Sequence, residues 1–212
     1  MEPLRKELAE GVFLTYVPAA KFKTGVLGAQ LITPLEESTV AAGALLPAVL
    51  AAGLIFGVQA LVLAAVTTLA CVAFEYLYEM LLKKPNTAGD LSAVVTGIIL
   101  ALNMPVGMPL WIAVVGAFVA IIITKQLFGG LGYNFANPAL VGRIVLFLGF
   151  TSRMTAYVYP DMAVDALASA TPLAVADKTS LNLLDIFLGF HGGMMGEVCV
   201  LAILLGFAYL VA

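Results

Sequence analysis

Two apolar runs, Thr39 to Phe56 and Val58 to Leu82, decide most of what this chain can become. Each is close to the roughly 20 residues a helix needs to cross a hydrocarbon core, where no backbone polar group can be left without a partner. Composition agrees: 62% of the 212 residues are hydrophobic and 11% are charged, and the mean hydropathy is +1.07, which excludes a water-soluble globular domain. The net charge of −3 comes from scattered acids and bases, leaving no basic stripe for nucleic acid and no charged tail. Lipid, other membrane subunits and small molecules remain as partners.

Between the two runs, Gly57 and Gln59 are placed to make a tight turn. The run from Leu91 to Met104 is too short to span comfortably and stops at Pro105, so it reads as a tilted, broken or re-entrant helix. Pro109 to Phe128 is again long enough, and after the turn Gly129-Gly130-Leu131-Gly132 comes a short run, Pro138 to Phe150. A polar stretch follows to about Phe190, and a last apolar run opens near Gly192 and stops at Ala212 without a flanking charge or aromatic anchor. The expected fold class is all-α: a polytopic membrane protein of about six transmembrane or half-membrane helices. It divides into a cytoplasmic arm (1–38), a transmembrane bundle (39–150), an extracytoplasmic segment (151–191) and the start of a further transmembrane helix (192–212). The bare final run leads us to expect a fragment, with further helices beyond it that complete an inverted repeat. Short segments interrupted by Pro or Gly among full spans are the mark of folds in which half-helices meet near the midplane.

Short loops rich in Lys and Arg stay in the cytoplasm. Arg5, Lys6, Lys21 and Lys23 precede the first span, Lys83 and Lys84 follow the second, and Lys125 and Arg143 flank the glycine turn. All share one side when the turns at Gly57 and at Pro105 to Pro109 share the other. The segment holding Arg153, Asp161, Asp165, Asp177, Lys178 and Asp185 then faces outward. No cleavable signal is visible in the first 35 residues.

An ionisable group at membrane depth is costly and is a functional hypothesis by default. Glu75 and Glu197 fall inside apolar runs and are candidates for an ion pathway. Asp90 divides evenly between capping the short helix and serving ion passage. Glu79 reads as a helix-end carboxylate beside Lys83, four residues on. His191, the single histidine, reads as a surface or hydrogen-bonded residue, and Asn134, Asn137 and Arg143 read as loop caps and an interfacial cation or, more sharply, as the lining of an ion path or a subunit contact. Trp111, Tyr76, Tyr78, Tyr157 and Tyr159 suit interfacial anchors. Cys71 and Cys199 have no ligand-spaced partner, so they read as core or lipid-facing thiols, and no metal site is expected from this chain alone.

The sequence DALASAT, Asp165 to Thr171, is small and polar, with Pro172 holding its last residue extended. By itself it is a set of turn and cap hydroxyls. It stands in order with DLSAVVTG from Asp90, ALNMPVGMPLW from Ala101, FGGLGYNFANPALVGR from Phe128 and GFHGGMMGEVCVLAILLG from Gly189. Together these blocks resemble the NqrB/RnfD family from about Phe74 to the chain end. Its members are the D-type subunit of the Rnf ion-translocating ferredoxin:NAD oxidoreductase and its relative, the B-type subunit of the sodium-pumping NADH:quinone reductase.

In that family an Asp-x-x-small-small-Ala-Thr motif marks a threonine that carries FMN through a phosphoester, attached by a flavin transferase. The resemblance implies that Thr171 is the acceptor, with Asp165 as the motif acid and Ala170 and Ser169 beside it. Ala168 departs from the pattern where Ser or Thr is usual, and Ser169 where Gly is usual. It further implies a noncovalent flavin, riboflavin, without identifiable residues here, and Rnf partners of the A, B, C, E and G types. It implies a prokaryotic inner or plasma membrane location. Glu75 matches an acidic position of the quinone-reductase relative, and Glu197 the glutamate of a Gly-Glu pair. The expected function is that of a membrane component of a redox-driven Na+ or H+ pump, relaying electrons between ferredoxin and NAD and inactive alone. A broken-helix solute channel or transporter without flavin is the alternative, and a flavin-free assembly scaffold a third reading.

Overall fold

The computed structural model describes residues 34–83, 87–130, 133–158 and 183–211. Every regular element among them is helical, as expected for an all-α membrane protein. Helix α1 (Pro34–Phe56) reaches back beyond the apolar run, with Pro at its first position and Glu36 and Glu37 in its first turn, where the missing N–H and the positive helix end favour them. Helix α2 (Val58–Leu81) follows after a single residue. That residue is Gly57, at φ 77, a left-handed conformation that only glycine adopts freely, so the expected hairpin is made there. Leu35–Phe56 and Val58–Leu81 are long and apolar enough to cross a membrane. Leu46, Leu50 and Leu54, spaced four apart on α1, are all strongly exposed and form an apolar stripe on its outer face.

The short run is helix α3 (Ser92–Leu102), 11 residues long and therefore about 16 Å, roughly half the hydrocarbon thickness. It lies against α2, where Gly97 meets the backbone of Thr68 so closely that an added Cβ would sit 2.6 Å from the Thr68 Cα. Small residues at such crossings let two backbones approach where lipid supplies no hydrophobic drive. Helix α4 (Leu110–Phe118) runs without a break into a π-helical segment, Val119–Gln126. Helix α5 (Pro138–Gly149) packs on α4 through Gly142, whose Cβ position is 3.0 Å from the Gly116 carbonyl. Two short helices follow, α6 (Thr151–Met154) and α7 (Leu183–Leu188), and then α8 (Val200–Val211). Helix α8 returns along α1, where Gly206 faces the Ala44 carbonyl and Tyr209 covers Gly43.

The last apolar run becomes helical only at Val200, not from Gly192. The physical reason lies at the other end of α3. Its final carbonyls would be left bare inside the protein, and the chain at 194–196 supplies donors instead: Met195 N to Met104 O at 3.2 Å and Gly196 N to Leu102 O at 2.8 Å. Met104, Val106, Met108, Met194 and Met195 are all buried there. The C-terminal end of α3 is thus met by irregular backbone lodged in protein, the form that broken membrane helices take.

Candidate functional site

Helix α2 places Glu75 six residues before its last residue, Leu81, so its Cα lies about 9 Å in from the helix end. A carboxylate at that depth needs a partner. Lys125, from the π segment, supplies it: Nζ lies 2.5 Å from Glu75 Oε1, and the two side chains are 2% and 0% exposed. The same ammonium donates to Ser92 Oγ at 2.6 Å. Ser92 in turn donates to Asp90 Oδ1 at 2.5 Å, an oxygen that also accepts from the Ser92 amide at 2.8 Å. Gln126 Nε2 donates to Glu75 Oε1 at 2.8 Å and leans toward Glu79 Oε1 at 3.5 Å. Glu79 accepts from the Thr87 hydroxyl and, at 3.1 Å, from the Thr87 amide. One polar cluster therefore joins α2, the turn before α3, the start of α3 and the π segment. One acceptor is left open, for Glu75 Oε2 is buried and has no hydrogen-bond partner among the described residues.

The π segment explains how Lys125 arrives. In an α-helix each four-residue step drifts about 40° around the axis, so positions 113, 117, 121 and 125 would spread off the buried face. The wider π turn, seen in the five-residue bonds Leu127 N to Ile122 O (3.0 Å) and Thr124 Oγ1 to Val119 O (3.1 Å), takes up that drift. Thr124, Lys125 and Gln126 are all buried as a result. Single π turns of this kind concentrate at functional sites.

Of the residues singled out in the sequence, Glu75 and Asp90 are brought together in this cluster. Glu197 is not part of it: its side chain is exposed and its Oε1 accepts from the Met194 amide at 3.1 Å, closing the turn that meets α3. Asp165, Ser169, Ala170 and Thr171 lie outside the described residues. Glu79 does not pair with Lys83. The helix ends at Leu81 and Lys83 turns off at φ 52, leaving the four-residue spacing without a shared helical face. Asn137 caps α5 through Ala139 N (3.0 Å) and Leu140 N (3.4 Å), as expected of a loop cap. Arg143 donates to Asn103 Oδ1 at 2.9 Å, tying α5 to the end of α3. Asn134 Oδ1 is buried without a partner among the described residues, His191 Nδ1 lies 3.2 Å from the Gly192 carbonyl oxygen, and Trp111 packs edge-on against Phe150. Cys71 is buried in the core and Cys199 is half-buried. A cleft of about 450 Å³ opens between α1, α3 and α8, lined largely by apolar side chains with Asn103 and Glu197 at its polar edge.

The sequence reading missed Lys125 as a site residue, using it only as a base beside the glycine turn that sets the orientation. The signal was present, because Lys125-Gln126 falls inside the apolar run Pro109 to Phe128 rather than after it. Ser92 and Gln126 were missed for a different reason: neither is charged, and only the fold shows what they bond.

The motifs, the broken helix and the buried acid–base pair bear on the resemblance. The family model described as the NQR2, RnfD, RnfE family matches residues 37–212. The chain belongs to that family. Its match begins well before Phe74, taking in α1 as well. Among relatives, the D-type subunit of the Na+-translocating ferredoxin:NAD+ oxidoreductase complex of Acetobacterium woodii is 47% identical over 174 residues, 79% of this chain and 54% of that protein. The D-type subunit of the proton-translocating ferredoxin:NAD+ oxidoreductase complex of Clostridium ljungdahlii is 34% identical over 181 residues, 79% of this chain and 55% of that protein. The B-type subunit of the Na+-translocating NADH-quinone reductase of Pseudomonas aeruginosa is 39% identical over 124 residues, 55% of this chain and 30% of that protein. The chain spans about half the length of the two ferredoxin:NAD+ oxidoreductase relatives.

Proposed function

We propose that the chain is a membrane component of a redox-driven cation pump of the ferredoxin:NAD+ oxidoreductase type, carrying FMN on the Thr171 hydroxyl and inactive outside its complex. The observation that carries this reading is the 47% identity to the D-type subunit of such a complex across 174 residues, joined to the motif Asp165 to Thr171. A second, noncovalent flavin of the riboflavin type belongs to the same reading, as do the other subunits of the complex and a flavin transferase. Bound flavin supplies electron transfer; a tether spares it a tight pocket, and the protein groups then position it. The chain's own contribution to coupling is the buried acid–base cluster, with Glu75 and Asp90 as ion-path residues and Glu197 as a further candidate nearer the opposite end of α3.

The location proposed is a prokaryotic plasma membrane, with the N-terminus cytoplasmic and Thr171 outside. Lys125 and Arg143 are engaged within the bundle, so the orientation rests on Arg5, Lys6, Lys21, Lys23, Lys83 and Lys84. The two ferredoxin:NAD+ oxidoreductase relatives differ in their ion, Na+ in one and the proton in the other, and the coupled cation is one of these.

The test is denaturing electrophoresis under ultraviolet light on chain produced in a host with the flavin transferase. A fluorescent band, and an intact mass raised by FMN less water, are expected. Thr171→Val abolishes both while membrane insertion persists. A dark band refutes the reading and favours a flavin-free transporter, for which the broken helix α3 is the supporting observation.

A further inference from the structure

Among the described residues, the cluster around Glu75 is short of positive charge. With all four groups ionised, Glu75, Glu79 and Asp90 share the Lys125 ammonium as their one cation among the described residues, and Lys83, the nearest described cation in sequence, is exposed. From α5, packed on the π segment, the charge is Arg143, and it is engaged with Asn103. Unbalanced charge in a low-dielectric interior is costly, and a paired buried ion is strongly destabilised when its partner leaves. Yet the pairing is incomplete, since Glu75 Oε2 is buried and has no partner among the described residues. Lys125 is also not committed to one acid: its ammonium touches Glu75 directly and reaches Asp90 through the Ser92 hydroxyl.

We infer that Lys125 is a tethered counter-cation shared between two carboxylates, and that a monovalent cation, Na+ or H+, is taken up at Glu75 by displacing this ammonium toward Ser92 and Asp90. The inference rests on the pump reading above and says how that pump's cation enters the cluster. The incoming cation takes the open Oε2 and brings one positive charge; the ammonium, released from Oε1, keeps its bond to Ser92 and closes on Asp90. Glu75 has a cation at both stages. Among the described residues no three acidic, His or Cys side chains are grouped to hold a metal ion, so the site is one carboxylate with a competing ammonium rather than an acidic cage. A ligand with equal affinity for both arrangements would shift nothing; here the two arrangements differ in whether Glu75 is free.

The test uses the complete protein in its assembled complex, reconstituted in proteoliposomes, with ferredoxin:NAD+ turnover read against Na+ concentration at fixed pH and against pH without Na+. Lys125→Met removes the competitor, so the half-saturating cation concentration falls about tenfold or more. Asp90→Asn removes the alternative acid and holds the ammonium on Glu75, so the same quantity rises by several-fold. For a proton these shifts run along the pH axis, to higher pH for Lys125→Met and lower pH for Asp90→Asn, while the Na+ axis stays flat. Shifts of the same sign in both variants, or lost activity with unmoved cation dependence, overturn the inference in favour of a structural salt bridge. Where Lys125→Met does not assemble, Asp90→Asn decides alone, and an unmoved half-saturation overturns it. A wild-type complex without cation-dependent turnover refutes the pump reading itself, so the two failures separate: one shows in the wild type, the other only in the variants.

Discussion

Replacing Gly97 by alanine tests whether the approach of α3 to α2 sets the geometry of everything below it. The added Cβ would sit 2.6 Å from the Thr68 Cα and 3.2 Å from its Oγ1. The first contact is with backbone, which cannot rotate away, and an ordinary carbon contact needs about 3.5–4.0 Å. The helices must therefore part by roughly an ångström at a seam where Leu63, Ala64, Thr67, Cys71, Ala93, Leu100 and Ala101 are buried. Overpacking of this kind costs about 1–3 kcal/mol, a five- to 150-fold change in the folding equilibrium. The control is Gly149→Ala at the end of α5, where a Cβ meets nothing within 4 Å. Losing a helical glycine there is neutral or stabilises by up to about 1 kcal/mol. Both variants are unfolded by denaturing detergent from mild micelles, with helicity as the readout. Equal stability of the two variants would refute the close-packed seam.

The remaining expectations concern charge and caps. Lys125→Met and Glu75→Gln each leave a buried polar partner stranded and lower stability, by about 3–5 kcal/mol where a charge is left unpaired. The double variant Glu75→Leu with Lys125→Met costs well under the sum of its two single changes in the same unfolding assay, and strict additivity would show the pair to be uncoupled. Asn137→Ala removes the acceptor for two amides at the start of α5 and costs about 0.5–2 kcal/mol, an effect that Asn137→Ser largely restores. For Thr171→Val, the flavin fluorescence of the denatured band vanishes.

Length and glycine placement make much of the fold legible in the sequence. The boundaries of α2, the turn at Gly57, the shortness of α3 and the cap at Asn137 all follow from apolar run length, a left-handed position and a side chain placed to accept amides. The site is legible only in part. Glu75 stands out because a carboxylate in an apolar run is expensive wherever it points, and Asp90 because it opens the short helix as a cap or an ion-path acid. Lys125 does not, because its place near the end of its run suits an interfacial cation, and a π turn that rotates it inward leaves no trace in a 3.6-residue period. Glu79 matches Lys83 by a spacing that holds only while a helix continues, and this one stops at Leu81. The irregular segment from Gly189 to Cys199 reads as the start of a helix when taken alone; it is the bare carbonyls of Leu102 and Met104, nearly a hundred residues earlier, that hold it out of the helix.

The short helix and the polar cluster have one physical origin. Had α3 the length of α2, its first turn would begin near the membrane face, beyond reach of a lysine held inside the bundle. Starting it at Ser92, which is buried, places the unbonded first amides of the helix inside the protein, where each needs a partner. Asp90 and Thr87 supply those partners locally: Asp90 accepts from the Ser92 amide and hydroxyl, and the Thr87 amide and hydroxyl donate to Glu79. The bonds that close this buried helix start therefore also set Asp90 one hydroxyl away from Lys125. The positive end of α3 then points into the same cluster and favours its carboxylates. A full-length α3 would relieve the buried backbone and, by the same change, dismantle the site.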